Sequence, residues 1–133
     1  MSADFPAAIL ERLAAPGING TDTPPVPGAE GVTYPYTAVY FDGSPRSSDR
    51  EADVRVRQEH GFQTVTVGVS PGQVRSSRDR LMNALTDWIP TVTGRSVSKI
   101  DNDGSQPVRP DPDMPDRSLY IATDQWRAVS DPV

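Results

Sequence analysis

Residues 70–90, SPGQVRSSRDRLMNALTDWIP, carry the strongest local signal in the chain. Ser70 can cap the first turn, Pro71 suits the first helical position, and Gln73 completes a capping box. Val74, Arg78, Leu81, Leu85 and Trp88 then recur at helical spacing, with Met82 and Ile89 widening the stripe. Pro90 closes the run. This pattern predicts the principal core helix, which needs a sheet to pack against.

The segments around it read as strands. Upstream, Phe62 to Val69 alternates Val65, Val67 and Val69 against Thr64, Thr66 and Gly68. Asp53 to Gln58 alternates too, with Val54 and Val56 opposite Asp53, Arg55 and Arg57. Glu59-His60-Gly61 between them predicts two strands, the alternative being one long strand bulged at Gly61. Val32 to Phe41 is apolar on both faces, as expected of a strand that is interior or covered on both sides. Pro35 belongs near its start, because it cannot donate to a ladder. Asp42 to Pro45 reads as a turn and Arg46 to Glu51 as a charged loop. Asp4 to Leu13 predicts a short helix burying Phe5, Ile9 and Leu13. Downstream, Arg95 to Ile100 and Arg117 to Arg127 are the remaining strands. Residues 16–31 and 101–116 are extended loops rich in proline, too long to be idle connections in a compact domain. The expected fold is α+β: a mixed or mainly antiparallel sheet of four to five strands packed against two helices, residues 1–133 forming one domain.

Bulk properties narrow the function. The 133 residues suffice for a core without staples. Only 35% are hydrophobic, and the 14 prolines and 10 glycines sit poorly inside helices or central strands. Much of the chain should therefore be surface, loop, or a face covered only by a partner. A net charge of −5 argues against phosphate neutralisation as the main task. Cysteine is absent, which removes disulfides and thiolate metal sites. No apolar run approaches a membrane span and no signal segment opens the chain, so no membrane partner is expected.

Candidate chemistry is sparse. His60, the one histidine, falls beside Gly61 and reads as a solvated turn residue rather than a base, since no nucleophile motif accompanies it. Asp101-Asn102-Asp103-Gly104 begins like a calcium loop, but Gln106 stands where glycine is needed and Pro112 where glutamate is. An Asx-Gly turn is the better reading. Asp111, Asp113 and Asp116 form an acidic loop punctuated by prolines. No glycine-rich phosphate loop occurs. Arg75, Arg78 and Arg80 line the main helix, where Arg75 and Asp79 form an i,i+4 pair. Asn19-Gly20-Thr21 matches a glycosylation pattern that matters only on secretion. Tyr34, Tyr36 and Tyr40 could stack bases, but without a basic surround core packing is the default. No catalytic residue, cofactor site or metal site is expected, and the chain does not read as an enzyme.

The order of short motifs adds a family likeness. Tyr36-Thr37-Ala38-Val39-Tyr40, then Val65-Thr66-Val67-Gly68, then a capped helix with Asp79-Arg80-Leu81, Trp88-Ile89-Pro90 and Gly94-Arg95, and finally Tyr120 to Trp126 appear in that order. Over Tyr34 to Pro132 this arrangement resembles tail terminator proteins of long-tailed (siphovirus-type) phages, particularly of actinobacterial phages. The interruption at Glu59 to Phe62 departs from the pattern. The resemblance implies a virion protein assembled in the host cytoplasm as a homo-hexameric ring. The ring would cap the head-proximal end of the tail tube, stop tube polymerisation, contact the tail tube protein, and offer a docking surface to the head–tail connector or neck protein. DNA would pass through its lumen without specific binding. A ring of identical subunits needs two different patches that meet, and Arg55, Arg57, Asp111 and Asp113, with the two long loops, are the candidate subunit-interface residues. The competing readings are another neck or head-completion protein, a small ligand-binding or enzymatic α+β domain using the acidic loop, and a nucleic-acid module using Arg55, Arg57 and Arg75.

Overall fold

The computed structural model describes residues 4–26, 29–42, 46–47, 57–113 and 119–133. In chain order the elements are α1 (Phe5–Leu13), β1 (Gly20–Thr21), β2 (Tyr36–Phe41), β3 (Arg46–Ser47), β4 (Gln58–Gly68), α2 (Pro71–Leu85), β5 (Arg95–Val97), β6 (Asp101–Ser105), β7 (Arg109–Pro110) and β8 (Tyr120–Pro132). The fold is α+β. Its sheet runs β1-β2-β4-β8-β5, with β3 beside β4, and β6 and β7 beside β8. The β1–β2 pair is parallel and the others are antiparallel, so the sheet is mixed.

β4 and β8 pair along all of β4, from Gln58 opposite Ser130 to Gly68 opposite Tyr120. Alternation then sends His60, Phe62, Thr64 and Thr66 to one face of β4, and Asp124, Trp126, Ala128 and Ser130 to the same face of β8. That face meets the helices. Phe62, Trp126, Val39, Ile9, Leu13, Leu81 and Leu85 form the main core. Trp126 satisfies its buried ring nitrogen by donating from Nε1 to Thr64 Oγ1 at 2.9 Å. A smaller cluster of Tyr36, Ala38 and Val67 lies on the other face. Burial pushes the Tyr36 phenol up to about 12, helped by Tyr34, Tyr40 and Asp111, so it stays protonated at neutral pH.

Both helices start as their sequences dictate. Asp4 Oδ1 accepts from Ala7 N at 2.9 Å and Ser70 Oγ accepts from Gln73 N at 3.1 Å. Gln73 Oε1 reaches back past the cap to Val69 N at 2.7 Å. Val74, Leu81 and Leu85 are completely buried. Arg78, between them on the same stripe, is in the interior for a different reason. Its guanidinium grips Asp124 of β8 through Nε to Oδ2 at 3.2 Å and NH2 to Oδ1 at 3.0 Å. Asp124 is fully buried while the Arg78 side chain is 23% exposed.

Several expectations need correction. The main helix ends at Leu85, not Pro90: Thr86 caps it and Asp87 turns at φ 61. That turn leaves Ile89 60% exposed, while Trp88 stays half-buried under the Arg12 guanidinium, 5.0 Å from its ring. No hairpin opens at Gly61: β4 passes through it in unbroken register with Arg127, and the Asp42 carboxylate occupies the room its missing side chain leaves. Residues 51–56, where the Asp53–Gln58 strand is expected, lie outside the described residues. The 101–116 loop contains two strands, with β6 carrying a bulge between Asn102 and Gly104, at φ 142, in place of an Asx-Gly turn. All five residues of β6 are exposed, so it is held by backbone pairing and by Asn102 Nδ2 donating to Gln125 O at 3.3 Å, and it leaves no apolar period to read. In the 16–31 loop, Gly20–Thr21 pairs with β2. Arg46–Ser47, in the expected charged loop, pairs with β4. The last strand starts at Tyr120, not Arg117, and runs on to Pro132.

Two stability measurements test this packing. Leu85→Ala should lower the unfolding free energy by about 2–5 kcal/mol in denaturant titration; a near-neutral change would detach α2 from the core. Arg78→Met leaves the Asp124 charge buried without compensation and should cost about 3–5 kcal/mol at neutral pH. Asp124→Asn, which retains an acceptor and lets Arg78 turn to solvent, should cost less, about 1–3 kcal/mol. The reverse ranking would mean that Asp124 is not buried.

Candidate functional site

Of the four residues expected at an interface, three lie among the described residues. Arg57 is exposed just ahead of β4 and Arg55 lies outside the described residues. Asp111 is 7% exposed, and its Oδ1 accepts from Asp113 N at 2.9 Å, an Asx turn closing off β7. Its carboxylate is thus used within its own turn, and Asp113 is the outward acid of the pair. Arg75 and Arg80 are exposed on α2, whereas Arg78 is committed to Asp124.

The built polar site lies elsewhere, at the end of the sheet where α1 begins. His60 is 8% exposed near the start of β4, not solvated in a turn. Its Nε2 is 2.8 Å from Ser130 Oγ of β8, and its ring stacks on Phe5 of α1 at 4.4 Å and 12°. Arg95 of β5 completes the group: Nε donates to Ser130 Oγ at 3.2 Å and NH2 donates to Ser130 O at 2.9 Å. Ser130 Oγ thus accepts from Arg95 and is hydrogen-bonded to His60 Nε2, with the direction of the second bond following the imidazole tautomer. Burial, and then the charge of Arg95, hold His60 below its ordinary value.

Beside this group is a cavity of about 670 Å³, with apolar walls from Phe5, Phe41, Val92 and Val97 and polar ones from His60 and Ser130. A smaller hollow of about 260 Å³ lies by Gly61, among Asp42, Glu59, Asp103 and Arg127. The large cavity has the size and lining of a small-molecule site. Its polar wall is poorly suited to nucleophilic chemistry. Ser130 is 1% exposed, and its hydroxyl is shared between Arg95 and His60. It cannot approach a carbonyl carbon without leaving β8. Among the described residues no group of three His, Cys, Asp or Glu could hold a metal ion, and no helix is long and apolar enough to cross a membrane.

Sequence reasoning missed His60 because a turn placed at Gly61 hid the alternation His60, Phe62, Thr64, Thr66 that marks the buried face. Ser130 and Arg95 could not have been joined to it without the pairing of β4 and β5 on β8.

No protein-family model matches the chain. No curated protein matches its sequence either. Solved structures do match, 11 chains in all. One belongs to a structure described as "Virion of native gene transfer agent (GTA) particle", superposing with a TM-score of 0.64 at 13% sequence identity. The match covers 93% of this chain and 92% of that one. The likeness is one of fold.

Proposed function

We propose that this chain is a non-enzymatic structural protein of a phage-type virion, acting as one domain, and that its place is the head-proximal end of the tail tube. The observation that carries this reading is the fold match with a chain of a gene transfer agent virion, end to end in both proteins. The motif order that resembles tail terminators supports the finer assignment: a homo-hexameric ring that halts tube polymerisation and receives the neck. Tail tube protein and head–tail connector are then its partners, and DNA crosses the lumen unread.

The physical character of the chain fits such a role. Net charge −5 disfavours adhesion to passing phosphates. The exposed edge strand β6 and the 16–31 arm present polar backbone and short side chains at the periphery, surfaces suited to the mixed interfaces of an assembly. Exposed Arg57 and Asp113 remain the proposed subunit contacts, with Arg55 and with Asp111 acting through the turn it holds.

Electron microscopy of the purified chain, alone and with tail tubes, tests the reading. The expected result is six-fold rings that sit on one tube end and arrest its growth. Rings found in the neck but never on tubes would move the protein to another connector position. A chain that stays monomeric at high concentration and ignores tubes would sink the proposal.

A further inference from the structure

We propose that His60 is an acid-sensitive latch joining the start of α1 to the end of β8, whose protonation releases the first turn of α1 and opens the adjoining cavity. The inference rests on the geometry of one buried residue and not on the ring reading.

Three elements meet at this imidazole. Phe5, the first residue of α1, lies flat on the ring at 4.4 Å. Ser130, near the end of β8, is bonded to Nε2 at 2.8 Å. Arg95 of β5 holds Ser130 by both its hydroxyl and its carbonyl. The start of α1 is otherwise tied by the Asp4 cap, which is local to the helix, and by the edge contact of Phe5 with Phe62, ring centroids 5.9 Å apart. The cavity runs alongside, with Phe5, His60 and Ser130 in its wall. Loss of the His60 contact therefore leaves Phe5 with its edge contact to Phe62 alone among its ring partners, on the side that borders existing space.

Protonation works against the hydrogen bonds and the burial of this arrangement, though not against its ring stack. With both ring nitrogens protonated, Nε2 can only donate, so Ser130 Oγ would have to accept from His60 and Arg95 together and turn its own proton elsewhere. The new charge would be buried, and it would share the site with the Arg95 guanidinium. Stacking on the Phe5 face favours the cation and offsets a part of that cost. The other charged groups at the cavity are Asp4 from α1, Asp42 after β2 and the carboxyl end at Val133. Glu59 on β4 and Asp131 on β8 alternate to the opposite face. Of these groups, Arg95 is the one whose charge acts on His60 after burial itself, so the net balance favours the neutral ring.

The sign follows. With the folded value depressed below the ordinary 6.5, the unfolded chain takes up the proton first as pH falls. Stability is complete above about pH 6.5 and declines below it, by at most tenfold in the folding constant per pH unit for one proton. The one histidine of the chain is the side chain whose ordinary value falls within the interval from 7.5 to 5.

The test compares wild type with His60→Gln, whose amide can meet the Ser130 hydroxyl as donor or acceptor but does not titrate. Amide hydrogen exchange over residues 5–9, corrected for intrinsic rate, and denaturant unfolding are followed from pH 7.5 to 5. Wild type should lose protection in the first turn of α1 and lose stability below pH 6.5, while the variant stays level. Equal slopes in the two proteins, or a level wild type, would overturn the proposal. Should His60→Gln not fold, NMR titration of the wild-type imidazole decides alone: a midpoint below 6.5 with loss of the Phe5 ring contact supports the latch, and a midpoint at or above 6.5 refutes it.

Discussion

The long antiparallel pairing of β4 with β8 is the constraint on which the other features depend. Eleven consecutive residues of β4 face β8 without a slip. A one-residue slip of either strand would invert that strand, turning Phe62 and Thr64 of β4, or Trp126 and Asp124 of β8, away from the helices. The register therefore decides which side chains α2 meets, and so whether Arg78 finds Asp124. It also sets His60 next to Ser130 at one end, and holds Phe62 against Trp126 near the middle, with ring centroids 6.3 Å apart. β8 then serves as the frame for the chain between α2 and the last strand. β5, β6 and β7 each pair with a different stretch of its free edge.

Local chemistry was legible where a few neighbouring residues decide the outcome. Asp4 and Ser70 cap their helices because a short oxygen-bearing side chain before a helical run can serve the first free N–H groups. Val74, Leu81 and Leu85 are buried because their spacing leaves them no other face. The α+β class follows from such elements. What could not be read from the sequence depends on distant partners. β6 is all polar, and only the backbone of β8 makes it a strand. Gly61 reads as punctuation in the sequence, yet here glycine leaves the space that the Asp42 carboxylate fills. Arg78 has helical-stripe spacing whether it is solvated or paired, and only Asp124, 46 residues away, determines which.

The same register explains an unusual polarity under the main helix. Thr37, Thr64, Thr66, Ser77 and Asp124 are all buried between helices and sheet. Thr64 is bonded to Trp126, Ser77 donates to Gly17 O at 2.7 Å, and Asp124 is held by Arg78. Thr37 Oγ1 and Thr66 Oγ1 have no partner among the described residues, although the two threonines face each other across β2 and β4. Each unmet hydroxyl costs about 1–3 kcal/mol. A chain with 35% hydrophobic residues has few apolar side chains to spare for this seam, and β-branched threonine still fits the pleat. The helix is thus fastened by directional contacts at fixed points more than by a continuous oily face.

That mode of fastening bears on what the protein can do. A core held by a few specific links tolerates little sliding, since displacing α2 strands Asp124 without a counter-charge. The end of the sheet at α1 is different, because there the links are one imidazole, one hydroxyl and one stacked ring beside open space. Rigidity at α2 and release at α1 can coexist in one small domain because the polar links at the two ends use different side chains, Arg78 with Asp124 and His60 with Ser130. A subunit that must keep its place in an assembly while one end responds to its surroundings needs this separation. The alternation of β4 provides it, since Thr64 and Thr66 lie toward α2 and His60 toward α1 on a single face of a single strand.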